Sequence, residues 1–138
     1  MLRGMATLSL FADDLAAAKA WYTELLGIPP YFERPIEGPP AYVEFRLGDH
    51  QHELGLIHSR YAPHARAKTP GGAVVFWHVD DVSAAVDRLT SMGAVEHEAI
   101  TRREAGFVTA SVVDPFGNIL GVMYNPHYLE MLAASSRR

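Results

Sequence analysis

The chain contains no cysteine. Disulfide staples, thiolate nucleophiles and cysteine-based metal sites are therefore excluded from the outset. It also lacks any clustering of positive charge: 12 Lys and Arg stand against 16 Asp and Glu, giving a net charge of −4 and a pI near 5.9. A phosphate backbone demands a basic stripe, so nucleic acid is not an expected partner. No apolar run approaches the length of a membrane span, and the opening MLRGMATLSLF lacks the apolar core of a secretory signal. The expectation is a cytoplasmic protein with no membrane partner. Phosphate loops, nucleotide fingerprints and hydrolase triad motifs are missing too.

What the chain does hold is a repeat. The stretch DDLAAAKAWYTELLG (13–27) returns as DDVSAAVDRLTSMG (80–93). Asp13, Asp14, Leu15, Ala17 and Ala18 fall on Asp80, Asp81, Val82, Ala84 and Ala85 at a separation of 67 residues. Residues 42–58 fall on 108–124 at a separation of 66, one residue having been lost in between, and Leu54-Gly55-Leu56 meets Leu120-Gly121-Val122. Such a period means two copies of one supersecondary unit. At 138 residues, 49% hydrophobic and 20% charged, the chain suits one domain built of two small modules.

Residues 6–11 read as a strand, with Leu8 and Leu10 on one face. Asp14 then sits where a helix N-cap is wanted. Leu15, Ala18, Tyr22, Leu25 and Leu26 follow at helical spacing, Trp21 and Tyr22 reading as core aromatics, and Gly27 ends the helix. Pro29-Pro30 limits residues 31–33 to a short edge strand. Residues 42–47 and 53–57 flank Gly48-Asp49-His50 as a hairpin. Module one thus covers residues 6–58, and an aperiodic linker covers 59–72. Module two, 73–124, repeats the order: strand 73–79, helix 81–92, a weaker strand 95–101, then strands 107–113 and 118–124 around the turn Asp114-Pro115-Phe116-Gly117. Asn125-Pro126 caps a short helix from His127, and residues 125–138 form this helix and a tail.

The duplicated β-α-β-β-β order, the D-[LV]-x-x-A helix opening and the D-P-x-G-N turn before the last strand resemble the vicinal oxygen chelate superfamily. That group includes glyoxalase I, bleomycin-resistance proteins, fosfomycin-resistance enzymes and extradiol dioxygenases. The resemblance covers nearly all of residues 6–128, and residues 1–128 read as one domain. It implies an α+β fold in which two tandem βαβββ modules form a cupped sheet around a central cavity, often completed across a homodimer. It also implies four metal ligands in the metal-dependent members, one from the first and one from the last strand of each module. Counted from the motifs, those positions are Thr7, Gly55, Val74 and Gly121. None of the four carries an imidazole or a carboxylate, which divalent ions of this kind require. No metal and no other cofactor is expected.

If residues pointing with Thr7, Gly55, Val74 and Gly121 face the cup, strand alternation assigns its lining. The ligand-contacting candidates are Ser9, Phe11, Tyr42, Arg46, Ile57, Phe76, Val108, Ala110 and Met123. The polar side adds Glu44, Glu53 and His78. His78 reads either as a general base or donor oriented by Glu44 or Glu53, or as a satisfied strand-end histidine. Arg46 and Glu44 read alternatively as an exposed cross-strand pair, and Glu53 as a solvated hairpin end. His50 and His52 sit beside a turn, where solvation is the ordinary reading. Two functions follow. One is metal-free sequestration of an unidentified small molecule, aromatic or cationic, stacked on Phe11, Tyr42 and Phe76. The other is a metal-free lyase or isomerase, or a dioxygenase-like enzyme, using His78 with Glu44 or Glu53.

Overall fold

In the computed structural model, which describes residues 1–137, each half of the chain folds as a β-α-β-β-β unit, and a C-terminal helix follows the second. Arg138, the end of the expected tail, lies outside the described residues. The first unit spans residues 1–68 and the second begins at Thr69, so the boundary falls inside the expected linker.

Unit one comprises β1 (Thr7–Ala12), α1 (Leu15–Leu26), β2 (Phe32–Arg34), β3 (Tyr42–Leu47) and β4 (His52–His58). Its sheet runs β1-β4-β3-β2, with β1 parallel to β4 and the other pairs antiparallel. Asp14 starts α1 by accepting from the Ala17 N–H at 3.0 Å, and Gly27 ends it at φ 68°, a conformation that costs glycine nothing. Leu15, Ala18 and Tyr22 of α1 are buried, as are Val43, Phe45, Leu54 and Leu56 on the facing side of the sheet. Each such apolar side chain contributes about 1.5–3 kcal/mol on burial. Lys19 of α1 pairs with Glu33 of β2 at 2.8 Å, fixing the short edge strand to the helix layer.

Unit two comprises β5 (Phe76–His78), α2 (Val82–Ser91), β6 (Val95–Arg102), β7 (Val108–Val113) and β8 (Ile119–Tyr124), followed by α3 (Pro126–Ser135). The sheet order is β5-β8-β7-β6, the same as in unit one, with β5 parallel to β8. Asp81 repeats the cap of Asp14, accepting from Ala84 N–H at 3.0 Å. The first strand is shorter than the expected 73–79. The Val75 carbonyl still accepts from Gly121 N–H at 3.1 Å and Val79 N–H donates to Met123, so the ladder is longer than the regular strand. Its helix-side core is Val82 and Leu89 with Ala110, Val112, Leu120 and Val122.

The registers show where the repeat loses its residue. Ser9 lies opposite Gly55 and Phe76 opposite Gly121, so the first strands align at 67 and the last strands at 66. In the antiparallel partners Glu44 lies opposite Gly55, and Ser111 opposite Gly121. The third strands therefore also align at 67, and the missing residue belongs to the hairpin turn. Asp114 organises that tighter turn, its buried carboxylate accepting from the N–H groups of Phe116 at 2.9 Å and Asn118 at 2.8 Å.

Both glycines on the last strands lie under aromatic rings. A Cβ on Gly55 would meet Tyr42 ring atoms at 3.2 Å, whereas one on Gly121 would lie 2.7 Å from the Val75 carbonyl oxygen and 2.8 Å from Phe76. The first obstacle is a side chain that can swing; the second is backbone held in a ladder. Gly121→Ala should accordingly lower stability by about 2–3 kcal/mol, in the upper range for overpacking, and Gly55→Ala by clearly less. Urea denaturation of the two variants checks the ranking.

Candidate ligand-binding face

Strand alternation in β3 turns Val43 and Phe45 to the helix and leaves Tyr42, Glu44 and Arg46 on the open face. Their cross-strand neighbours on β4 are Ile57, Gly55 and Glu53, and on β2 Phe32 and Arg34 lie opposite Glu44 and Tyr42. Because Gly55 has no side chain, the Tyr42 ring lies down over it. The phenol then reaches along its own strand and donates to Glu44 Oε1 at 3.0 Å. The Phe32 ring meets Tyr42 edge-on at 6.1 Å, and the Arg34 guanidinium covers Phe32 at 4.0 Å.

Arg46 joins the two carboxylates. Its Nε is 3.3 Å from Glu44 Oε2 and a terminal nitrogen is 3.5 Å from Glu53 Oε1. The guanidinium lies 3.7 Å above the Tyr31 ring. Glu44 is only 12% exposed, against 37% for Arg46 and 36% for Glu53. The pairing is therefore both cross-strand, to Glu53, and within the strand, to Glu44. Sequence reasoning gave Arg46 only Glu44 and missed Tyr31, whose place at the end of a proline-bound edge strand hid it. Burial, the hydrogen bond to Glu44 and the charges of Glu44 and Glu53 push the Tyr42 phenol up to about 12. Beside this cluster lies a cleft of about 570 Å³, lined by Leu26, Ile28, Pro29, Pro30 and Leu47 together with Tyr31 and Arg46.

Ser9, Phe11 and Ile57 share this open face, and Ser9 is exposed. The Phe11 carbonyl accepts from Arg66 of the linker, which also donates to Ser59 Oγ at 3.2 Å. Thr7 stands opposite Glu53.

In unit two the open face carries Phe76, His78, Ile119, Gly121 and Met123, together with Thr109 and Ser111 of β7. Val108 and Ala110, expected on this face, are on the other. Ala110 lies opposite Val122 in the helix-side core and is 2% exposed, and Val108 shares its parity. Applying the 66-residue separation through the turn displaced β7 by one position, and a slip of one reverses both faces of a strand. The residue gained is Ser111, buried, with its hydroxyl 2.9 Å from His97 Nδ1 where β6 bulges. Reading each strand from its own end of the turn would have found it.

His78 is the last residue of β5. Its side chain is 8% exposed and its ring stacks on Tyr128 of α3 at 4.7 Å and 9°. Nδ1 accepts from the Asn125 N–H at 3.1 Å, which puts the proton of the neutral ring on Nε2, 3.4 Å from Asp80. Asn125 in turn caps α3, its side chain accepting from Tyr128 N–H at 3.1 Å. Both ring nitrogens thus meet partners within unit two, whereas Glu44 and Glu53 belong to unit one.

The counted metal positions do not suit an ion. Gly55 and Gly121 are covered by Tyr42 and Phe76, and Val74 lies before β5. Among the described residues no three His, Asp or Glu side chains are grouped to hold a metal. His50 and His52, 5.7 Å apart, remain a pair beside the turn. Nor is any described helix long and apolar enough to cross a membrane.

Residues 4–122 match the Glyoxalase/Bleomycin resistance protein/Dioxygenase superfamily. The chain belongs to this superfamily. Solved structures with the same fold include a glyoxalase-related enzyme from Fulvimarina pelagi, 22% identical over 91% of this chain and 90% of that one, with a TM-score of 0.70. A lactoylglutathione lyase from Agrobacterium tumefaciens is 25% identical over 90% and 95% of the two chains, at a TM-score of 0.63. A glyoxalase/bleomycin resistance protein from Catenulispora acidiphila is 22% identical over 89% and 100%, at 0.59. No curated protein matches the sequence.

The phenol of this superfamily member offers a direct test of the cluster. A raised pKa means the folded state keeps its proton longer than the unfolded chain, so stability should fall as pH rises from about 10 to about 12. Ultraviolet titration should show a late-titrating phenol that is lost in Tyr42→Phe, whose alkaline loss of stability should be shallower.

Proposed function

We propose that this superfamily protein sequesters a small aromatic or cationic compound in the cytoplasm and does so without a metal. The observation that carries the reading is the open face of unit one, where Tyr31, Phe32 and Tyr42 stand around Glu44 and Glu53. Two carboxylates share this face with two guanidiniums, Arg46 between them and Arg34 over Phe32, and the exposed Tyr31 and Phe32 rings, each covered by a guanidinium on one side only, offer flat apolar surface on the other. Phe76 supplies a further ring on the open face of unit two, 38% exposed. Binding is favoured over catalysis because His78, the candidate base, is buried under Tyr128 with its Nδ1 lone pair taken by Asn125. A general base needs a free lone pair within reach of the proton it removes.

Tyr42→Ala should weaken capture of a planar compound by about 1–3 kcal/mol, the scale of burying and stacking one ring. Glu44→Gln should weaken cationic compounds selectively, and less so at high salt. Native mass spectrometry of the purified protein, followed by calorimetry with whatever co-purifies, supplies the measurement. Recovery of that compound in chemically altered form would sink the sequestration reading in favour of an enzyme.

We propose also that the protein is a homodimer. Each sheet leaves edges at its first strand, β1 and β5, and open edges invite pairing in a closed two-fold assembly. Sedimentation at micromolar concentration should give a mass near twice 15.2 kDa, and a monomer alone would refute it.

A further inference from the structure

The Arg46 guanidinium is a planar, delocalised cation resting on an aromatic ring between two carboxylates. A small planar cation captured at this face would seek the same three contacts. Arg46 makes them poorly. Charge-assisted N–H···O bonds run at about 2.7–2.9 Å, yet its two pairings are 3.3 and 3.5 Å long. Its Nε is shut away from water and still has no aligned hydrogen bond. The stem tethers the guanidinium to β3, and in this position it faces neither carboxylate squarely. A free cation is under no such restraint. The adjoining cleft, with Arg46 and Tyr31 in its lining, offers space for the rest of such a molecule and for the displaced arginine.

We propose that Arg46 is a built-in competitor, occupying the seat of an aromatic amidinium or guanidinium ligand and setting how tightly that class is held. The proposal rests on the sequestration reading and names its ligand class and its specificity-determining residue. Arg46 then acts against cation binding. It holds Glu44 and Glu53 in place while the site is empty, because two carboxylates so close would otherwise repel. It also raises the threshold that an incoming cation must exceed.

Benzamidine and benzamide share a shape and differ in charge, so calorimetry with the pair at low salt tests the assignment. Arg46→Ala and Arg46→Met should each bind benzamidine about tenfold more tightly than the wild type, the scale of one displaced cation–π and ion-pair set. Benzamide should change by less than about twofold, as neutral ligands do not compete for charge. Arg46→Lys, which keeps the cation, should show no gain. Adding Glu44→Gln to Arg46→Ala should cancel it. Unchanged or weaker benzamidine binding in both variants, with circular dichroism and unfolding cooperativity intact, would overturn the proposal. An equal gain for benzamide would overturn it too, since only space would have been opened. The two readings separate cleanly. A benzamidine gain in the variants, with no planar compound captured by the wild type, upholds Arg46 as competitor and removes sequestration. Capture of a neutral planar compound by the wild type without the gain does the reverse.

Discussion

Parallel pairing of the first strand with the last, β1 with β4 and β5 with β8, is the constraint on which each unit depends. Nothing local favours it. The partners are separated by a helix and two further strands, and the entropy of closing that loop is offset only when the helix packs on the sheet. The aspartate caps matter for this reason: they stop the strand and turn the chain within two residues in unit one and three in unit two, so that Leu15 and Val82 enter their cores. Once the pairing is made, Ser9, Gly55 and Glu44 form one row across unit one, and Phe76, Gly121 and Ser111 form its counterpart. Those two rows set which side chains of the paired strands share each open face.

The rows have the same frame and different chemistry. In unit one the ring over the glycine comes from Tyr42, two strands from β1, and its hydroxyl draws Glu44 into the cluster. In unit two the ring is Phe76, which lies beside Gly121 and has no polar end to engage a neighbour. Charge therefore gathers around the covered glycine in unit one, whereas in unit two it lies towards β6, where Arg103 pairs with Glu98 and donates to Thr109 Oγ1. Unit two spends its polar groups on internal fastening: Ser111 on His97, and His78 on the start of α3. Two copies of one unit thus carry different chemistry on the same frame.

The architecture was legible because three signals agreed at each boundary: hydrophobic period, capping residue and repeat. Asp14, Gly27, Asp81 and Asn125 all sit where their residue types demand. The candidate site was legible only as far as strand parity is. Tyr42, Glu44, Arg46 and Glu53 came from β3 and β4, which flank one turn and could be counted directly. Val108 and Ala110 failed because a residue lost inside a turn leaves no mark on composition but inverts the strand before it. Tyr31 and the fastening of His78 lay beyond any pattern. Which ring an arginine stacks on, and whether a histidine lone pair meets a backbone N–H, depend on side chains brought together from separate elements.

The crowding at Gly121 bears on which residues this position can take. The resemblance implies a ligand there in the metal-dependent members, where this chain has glycine. The Val75 carbonyl stands in the way of a side chain, 2.7 Å from where its Cβ would be, and it is held by the Gly121 N–H itself. Any longer side chain here requires the entrance to β5 to shift with it. The position is thus set by a neighbour's backbone, and its chemistry is tied to the path of a strand far away in the sequence.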